Sequence, residues 1–100
     1  MQTFGKIIKE KRDKKKLLLR EVAALLGIDQ SIISKLEKGE RNATREQVLK
    51  FAEIYDIEPK DLIVCWQSDK VANNLIQEAE AEEILKLAES KVKYLKTIQK

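Results

Sequence analysis

The side chains best equipped for chemistry in this 100-residue chain gather between Gln30 and Lys38. Gln30, Ser31, Ser34, Lys35 and Lys38 are interleaved with Ile32, Ile33 and Leu36, so a helix here turns its aliphatic residues one way and its polar residues the other. A row of amide, hydroxyl and ammonium groups near the start of a helix suits base edges in a DNA major groove, because an amide both donates and accepts while an ammonium only donates. An ordinary solvated face has the same composition, and taken alone these residues leave both readings open.

Other chemistries have little material. The chain has no histidine, which excludes a His-dependent triad, and its one cysteine, Cys65, excludes an intrachain disulfide. Cys65 beside Trp66 reads as packing rather than redox chemistry. Acidic residues are spread among lysines at helical spacing, as solvation and i,i+4 pairing require, rather than as an acid/base dyad. With no phosphate-loop glycine pattern, no cofactor is expected, and neither an enzyme nor a small-molecule effector is indicated. No apolar run approaches a membrane span and no signal peptide opens the chain, so no membrane partner and a cytoplasmic location are expected. Charge is divided unevenly: residues 1–50 carry 13 Lys or Arg against 7 Asp or Glu, and residues 51–100 carry 7 against 10. The basic half holds the polar row, as binding to DNA demands.

That row needs elements to position it. Val22, Ala23 and Leu26 mark the stripe of a helix from about Leu19 to Leu26, Gly27 suits a chain reversal, and Ile33 and Leu36 mark a helix from about Gln30 to Lys38. Asp29 is placed to cap this second helix through the amides of Ser31 or Ile32. Two helices this short must dock on others. Phe4, Ile7 and Ile8 open an earlier helix that runs to about Lys15, with Leu17 closing it on the core. Thr44 and Gln47 form a capping box for a helix from about Arg45 through Tyr55, and Pro59 stands in the first turn of a short helix containing Leu62 and Ile63.

The opening FGKIIKEKR, the small Ala23, Gly27, the run SIISKLEKGER and the later LKFAEIYDIEPKDLI resemble, in that order, the Cro/phage-repressor (XRE-type) helix-turn-helix regulators, from about Phe4 to Leu62. The resemblance implies an all-α, five-helix, lambda-repressor-like DNA-binding domain. It places Gln30, Ser31 and Lys35, with Ser34 adjacent, where members touch bases. Lys38 and Arg41 fall where the phosphate backbone is held, and Asn42, Thr44 and Arg45 lie on the same DNA-facing side. It also implies that Arg12 pairs with Glu37, linking the first helix to the end of the reading helix. The sequence departs from the family where Leu18 and Leu19 replace the usual Ser and Gln, which removes a side-chain cap and a phosphate-binding amide, and where Lys16 replaces a usual Gly.

The expected division is a DNA-binding domain over residues 1–66 and a C-terminal helical dimerisation extension over 67–100. Ser68 can cap a helix beginning at Asp69, either continuous to the end or broken at Asn73-Asn74. Its apolar positions include Ile84, Leu85, Ala88, Val92, Leu95 and Ile98, a stripe that would serve a homodimer or fold back over Trp66. The resemblance, taken with this tail, implies a transcriptional regulator, a repressor binding a symmetric operator in double-stranded DNA as a dimer; the stretch LREVAALLGIDQSIISKLEKGER followed by a helical tail is similar to small regulators that accompany DNA-modification or restriction systems. A rival is a protein-interaction module, such as an antitoxin-like partner or a modification-system adaptor subunit.

Overall fold

Four of the helix ends in this chain require left-handed backbone, and they fix where each short helix stops. In the computed structural model, which describes residues 2–99, Lys16, Gly27, Gly39 and Asp56 have φ of 56°, 71°, 76° and 53°. After each, the chain reverses on a local cap that spans five residues: Leu17 N–H donates to Arg12 O, Ile28 N–H to Ala23 O, Glu40 N–H to Lys35 O and Ile57 N–H to Ala52 O. These bonds satisfy carbonyls that a helix terminus otherwise leaves without partners.

The fold is all-α, with six helices among the described residues: α1 (Phe4–Lys14), α2 (Leu19–Leu26), α3 (Gln30–Lys38), α4 (Arg45–Ile54), α5 (Pro59–Leu75) and α6 (Ala81–Ile98). The chain divides into two compact units between Lys70 and Val71, four residues beyond the boundary expected at 66/67. In the first unit α1 and α2 pack on α3, and α2 packs on α4. Ile8, Val22, Ile33, Leu36, Val48, Phe51 and Leu62 are fully buried, one or two from each of the first five helices. Each such side chain stabilises the fold by roughly 1.5 to 3 kcal/mol. The Phe51 ring sits edge-on to Phe4 at 5.8 Å between centroids and stacks on Tyr55 at 5.9 Å.

The starts of the helices are satisfied in different ways. For α1, Thr3 Oγ1 accepts from Lys6 N–H at 3.3 Å and Asp69 Oδ2, on α5, accepts from Phe4 N–H at 2.8 Å. For α2, Leu18 has no side-chain acceptor, but Glu21 Oε1 reaches back to Leu18 N–H at 2.8 Å, which supplies half of a capping box. The Thr44 and Gln47 box on α4 is complete, with both bonds near 3 Å. Asp29 stands at the N-cap of α3, yet its side chain makes no capping hydrogen bond. The expected Asp29 bond to Ser31 or Ile32 is therefore corrected: its charge still suits the helix N-terminus, without direct acceptance.

The sequence reading of residues 59–80 also needs correction. Pro59 opens a 17-residue helix rather than a short one, and no new helix begins at Asp69. Ser68 lies inside α5, where its hydroxyl donates to Cys65 O at 2.8 Å instead of capping. Ser and Asp are good caps only where the backbone has already left the helix; here α5 continues through both, Trp66 is buried, and Asp69 caps α1 instead. Nor does the break fall at Asn73-Asn74, which remain helical; it comes between Leu75 and Ala81.

In the second unit, α6 begins after Glu80, carries Glu82 and Glu83 in its first turn, and buries none of its side chains. Ile84, Leu85, Leu87, Val92, Tyr94, Leu95 and Ile98 are all exposed. No helix among the described residues is long and apolar enough to cross a membrane.

Candidate nucleic-acid interface

The helix-turn-helix is built from α2, the reversal at Gly27 and α3. Val22, Ala23 and Leu26 are buried on one side of α2, and Ile33, Leu36 and Glu37 on one side of α3. The near absence of a side chain at Ala23 lets these elements meet closely. The opposite side of α3 presents Gln30, Ser31, Lys35 and Lys38 to solvent, with Ser34 half-buried at its edge. Among the described residues, the side chains of Gln30, Lys35 and Lys38 make no hydrogen bond or ion pair, so their donors and acceptors are available to a ligand.

A buried ion pair sets the pose of α3. Arg12 Nε donates to Glu37 Oε2 at 2.7 Å and Nη2 donates to Glu37 Oε1 at 3.1 Å, a two-point contact that resists rotation. Arg12 Nη1 donates to Leu17 O at 3.0 Å. One guanidinium thus ties together α1, the connection to α2 and the last turn of α3. The side chains are only 14% and 5% exposed, and the Glu37 hydrogen bond holds the Arg12 guanidinium above its ordinary pKa against the opposing effect of burial.

Gly5 completes this docking. A Cβ added there would lie 2.6 Å from Glu37 O and 2.7 Å from Leu36 O, closer than real side chains approach backbone. Glycine is needed because α1 passes directly over the end of α3. Nearby, Tyr55 is buried with no hydrogen-bond partner for its hydroxyl among the described residues. Burial, reinforced by the Glu37 charge, pushes its pKa from 10.0 up to about 12.

The loop after α3 has a similar division of labour. Ala43 is buried and pins the loop to the core, leaving Arg41, Asn42, Thr44 and Arg45 exposed around it. Thr44 Oγ1 is engaged by Gln47 N–H, and the Arg45 guanidinium lies 5.8 Å from the centre of the Trp66 ring. Lys70 approaches the same ring at 3.8 Å, so this ring has two cations near it.

Sequence reasoning passed over several of these residues. Gly5 was hidden because a glycine at a helix start reads as a weak helix former, and its signal is tertiary. Asp69 reads from sequence as a new helix start, whereas its carboxylate caps α1 by accepting from Phe4 N–H, 65 residues away. Glu21 could have been found: an acidic residue three positions after Leu18 is the second half of a capping box even when the first half is missing.

A family model described as helix-turn-helix matches residues 8–62, just over half of the chain. Among solved structures, the restriction-modification controller protein C.AhdI from Aeromonas hydrophila is 39% identical, over 59% of this chain and 89% of that one, with a TM-score of 0.54. A chain of the SinR protein/SinI protein complex aligns over 95% of this chain and 99% of its own length at a TM-score of 0.56, and at 19% identity it shares the fold alone. No curated protein matches the chain. With α2 and α3 forming the helix-turn-helix and the match running from Ile8 to Leu62, this chain belongs to the helix-turn-helix family of DNA-binding regulators, of the Cro/phage-repressor (XRE) type.

Proposed function

We propose that this chain is a sequence-specific regulator of transcription that reads double-stranded DNA through α3 of a lambda-repressor-like domain. In this reading Gln30, Ser31, Ser34 and Lys35 face base edges, while Lys38, Arg41, Asn42, Thr44 and Arg45 hold phosphates. The observation that carries it is the unengaged polar side of α3, held in place by the two-point contact between Arg12 and Glu37.

The protein acts as a homodimer on a symmetric operator, joined through α6 by Ile84, Leu85, Ala88, Val92, Leu95 and Ile98. Dimerisation is favoured because one module makes few base contacts and the exposed aliphatic residues of α6 are costly to leave in water. Repression is the favoured output, since occupancy beside a promoter suffices to block it. Likeness to the controller protein C.AhdI supports a restriction-modification operon as the regulated locus. The second reading, a protein-interaction module, is favoured by the same exposed stripe. Selection of bound duplexes from a random DNA pool separates them: a regulator enriches a motif with twofold symmetry, and an adaptor enriches none.

A further inference from the structure

We propose that α6 pairs with α6 of a second copy in antiparallel orientation, so that the acidic start of each helix lies against the basic end of the other. This rests on the dimeric reading above.

Charge along this segment is segregated. Glu78, Glu80, Glu82 and Glu83 crowd its beginning with no cation among them, whereas Lys91, Lys93 and Lys96 occupy its second half. Two residues depart from this segregation: Lys86 lies in the first half, and Glu89, beside the centre, accepts from Lys93 Nζ within the helix at 3.1 Å. A parallel pair would set like ends together; an antiparallel pair sets unlike ends together.

The side-chain register agrees. Leu85, Ala88, Val92 and Leu95 follow steps of three, four and three, the spacing of a seam between two helices. Antiparallel packing centred between Ala88 and Val92 places Leu85 opposite Leu95 of the second copy and Ala88 opposite Val92 of the second copy. On one flank Ile84 then meets Ile98 of the second copy; on the other Glu82 meets Lys96 of the second copy. All of these except Ala88 and the charged pair are large apolar side chains that α6 leaves exposed. Parallel packing would instead bring Lys91 against Lys96 and Ile84 against Glu89. The antiparallel register sets Lys91 against Lys91 and Glu89 against Glu89 at the twofold axis, so its charge advantage rests on the Glu82 and Lys96 contact, which the symmetry makes twice. Leu87 and Tyr94, also exposed, widen the apolar face beyond the Ile84 and Ile98 edge.

The two orientations differ in where the chains enter the helix pair. Ala81 lies nine residues from the centre of such a pair, so the two helix starts stand about 27 Å apart at 1.5 Å per residue. In a parallel pair they would be about 8 to 10 Å apart, the distance between packed helices.

The test uses the full chain carrying Cys65→Ser. Ile84→Cys and Ile98→Cys forms, distinguished by mass, are coexpressed and equilibrated in a glutathione redox buffer, with sedimentation in parallel. The expected result is a dimer in which the 84–98 mixed disulfide exceeds either homodisulfide by about tenfold. Predominant 84–84 and 98–98 disulfides, or a sedimenting dimer with none of the three, would overturn the orientation while leaving the twofold DNA reader intact. A monomer would overturn both. Should the cysteines disturb pairing, charge reversal decides. Glu82→Lys and Lys96→Glu should each weaken dimerisation about fivefold, and their combination should return it to within about twofold of wild type. Additive losses would overturn the proposed contact.

Discussion

Arg12 shows how a residue away from the polar side of α3 can fix that helix in place. Its three hydrogen bonds span α1, the turn before α2 and the last turn of α3. Replacing either Arg12 or Glu37 with Ala leaves the other charge buried alone, so each change should destabilise the domain by about 3 to 5 kcal/mol. The double variant should lose less than the sum in denaturant titrations, whereas independent surface residues would add. Tyr55 gives a second residue-scale expectation. An unfolded tyrosine releases its proton near pH 10, while the folded one keeps it to about pH 12. The unfolded state therefore binds fewer protons between these values, and stability falls across that interval. Its buried hydroxyl lacks a partner among the described residues, so Tyr55→Phe should be neutral or stabilising at pH 7. Above pH 10 the variant should gain progressively on wild type; parallel stability curves up to pH 12 would contradict the assignment.

At the scale of helices, termination by left-handed residues decides the architecture. Lys16 accepts φ of 56°, a conformation that costs a residue with a Cβ roughly 1 to 2 kcal/mol. Lys16→Gly should therefore raise stability by about 0.5 to 1 kcal/mol in thermal or denaturant unfolding, after the added freedom of the unfolded chain offsets part of the gain. Gly5→Ala should do the reverse by about 1 to 3 kcal/mol, because its methyl meets two carbonyls at the end of α3. It should also weaken DNA binding by shifting that helix. These cases mark what was legible from sequence. The helices from Phe4 to Ile54 were readable within about a residue, because apolar periodicity and residues such as Gly27 and Thr44 are local signals. The length of α5 is not, because Ser68 has the composition of a cap and the Phe4 N–H from which Asp69 accepts lies 65 residues away in the chain. Likewise the polar row on α3 could be listed from residue types, whereas its exposure depends on Gly5 and the buried Ala43 loop.

For the whole molecule, the central question is whether two reading helices act together on one DNA. Leu85→Glu/Val92→Glu puts two charges into the proposed seam without touching the core of the first unit, which is made entirely of residues before Lys70. The variant should sediment as a folded monomer, and its binding should lose dependence on half-site spacing because the second helix is no longer tethered. Wild type that remains monomeric well above the concentration needed to occupy DNA would instead argue for a single reading unit.

Base reading itself is tested most directly by comparing wild type with Gln30→Ala, Lys35→Ala and Arg41→Ala on two duplexes, the motif selected from a random pool and an unrelated sequence, across a range of salt. The expected result is that Gln30→Ala and Lys35→Ala each weaken binding to the selected motif by about 1 to 3 kcal/mol and leave the unrelated duplex nearly unchanged. Arg41→Ala should weaken both alike and lower the salt dependence by about one counterion. Equal losses on both duplexes for Gln30→Ala and Lys35→Ala would contradict the assignment of α3 to base edges.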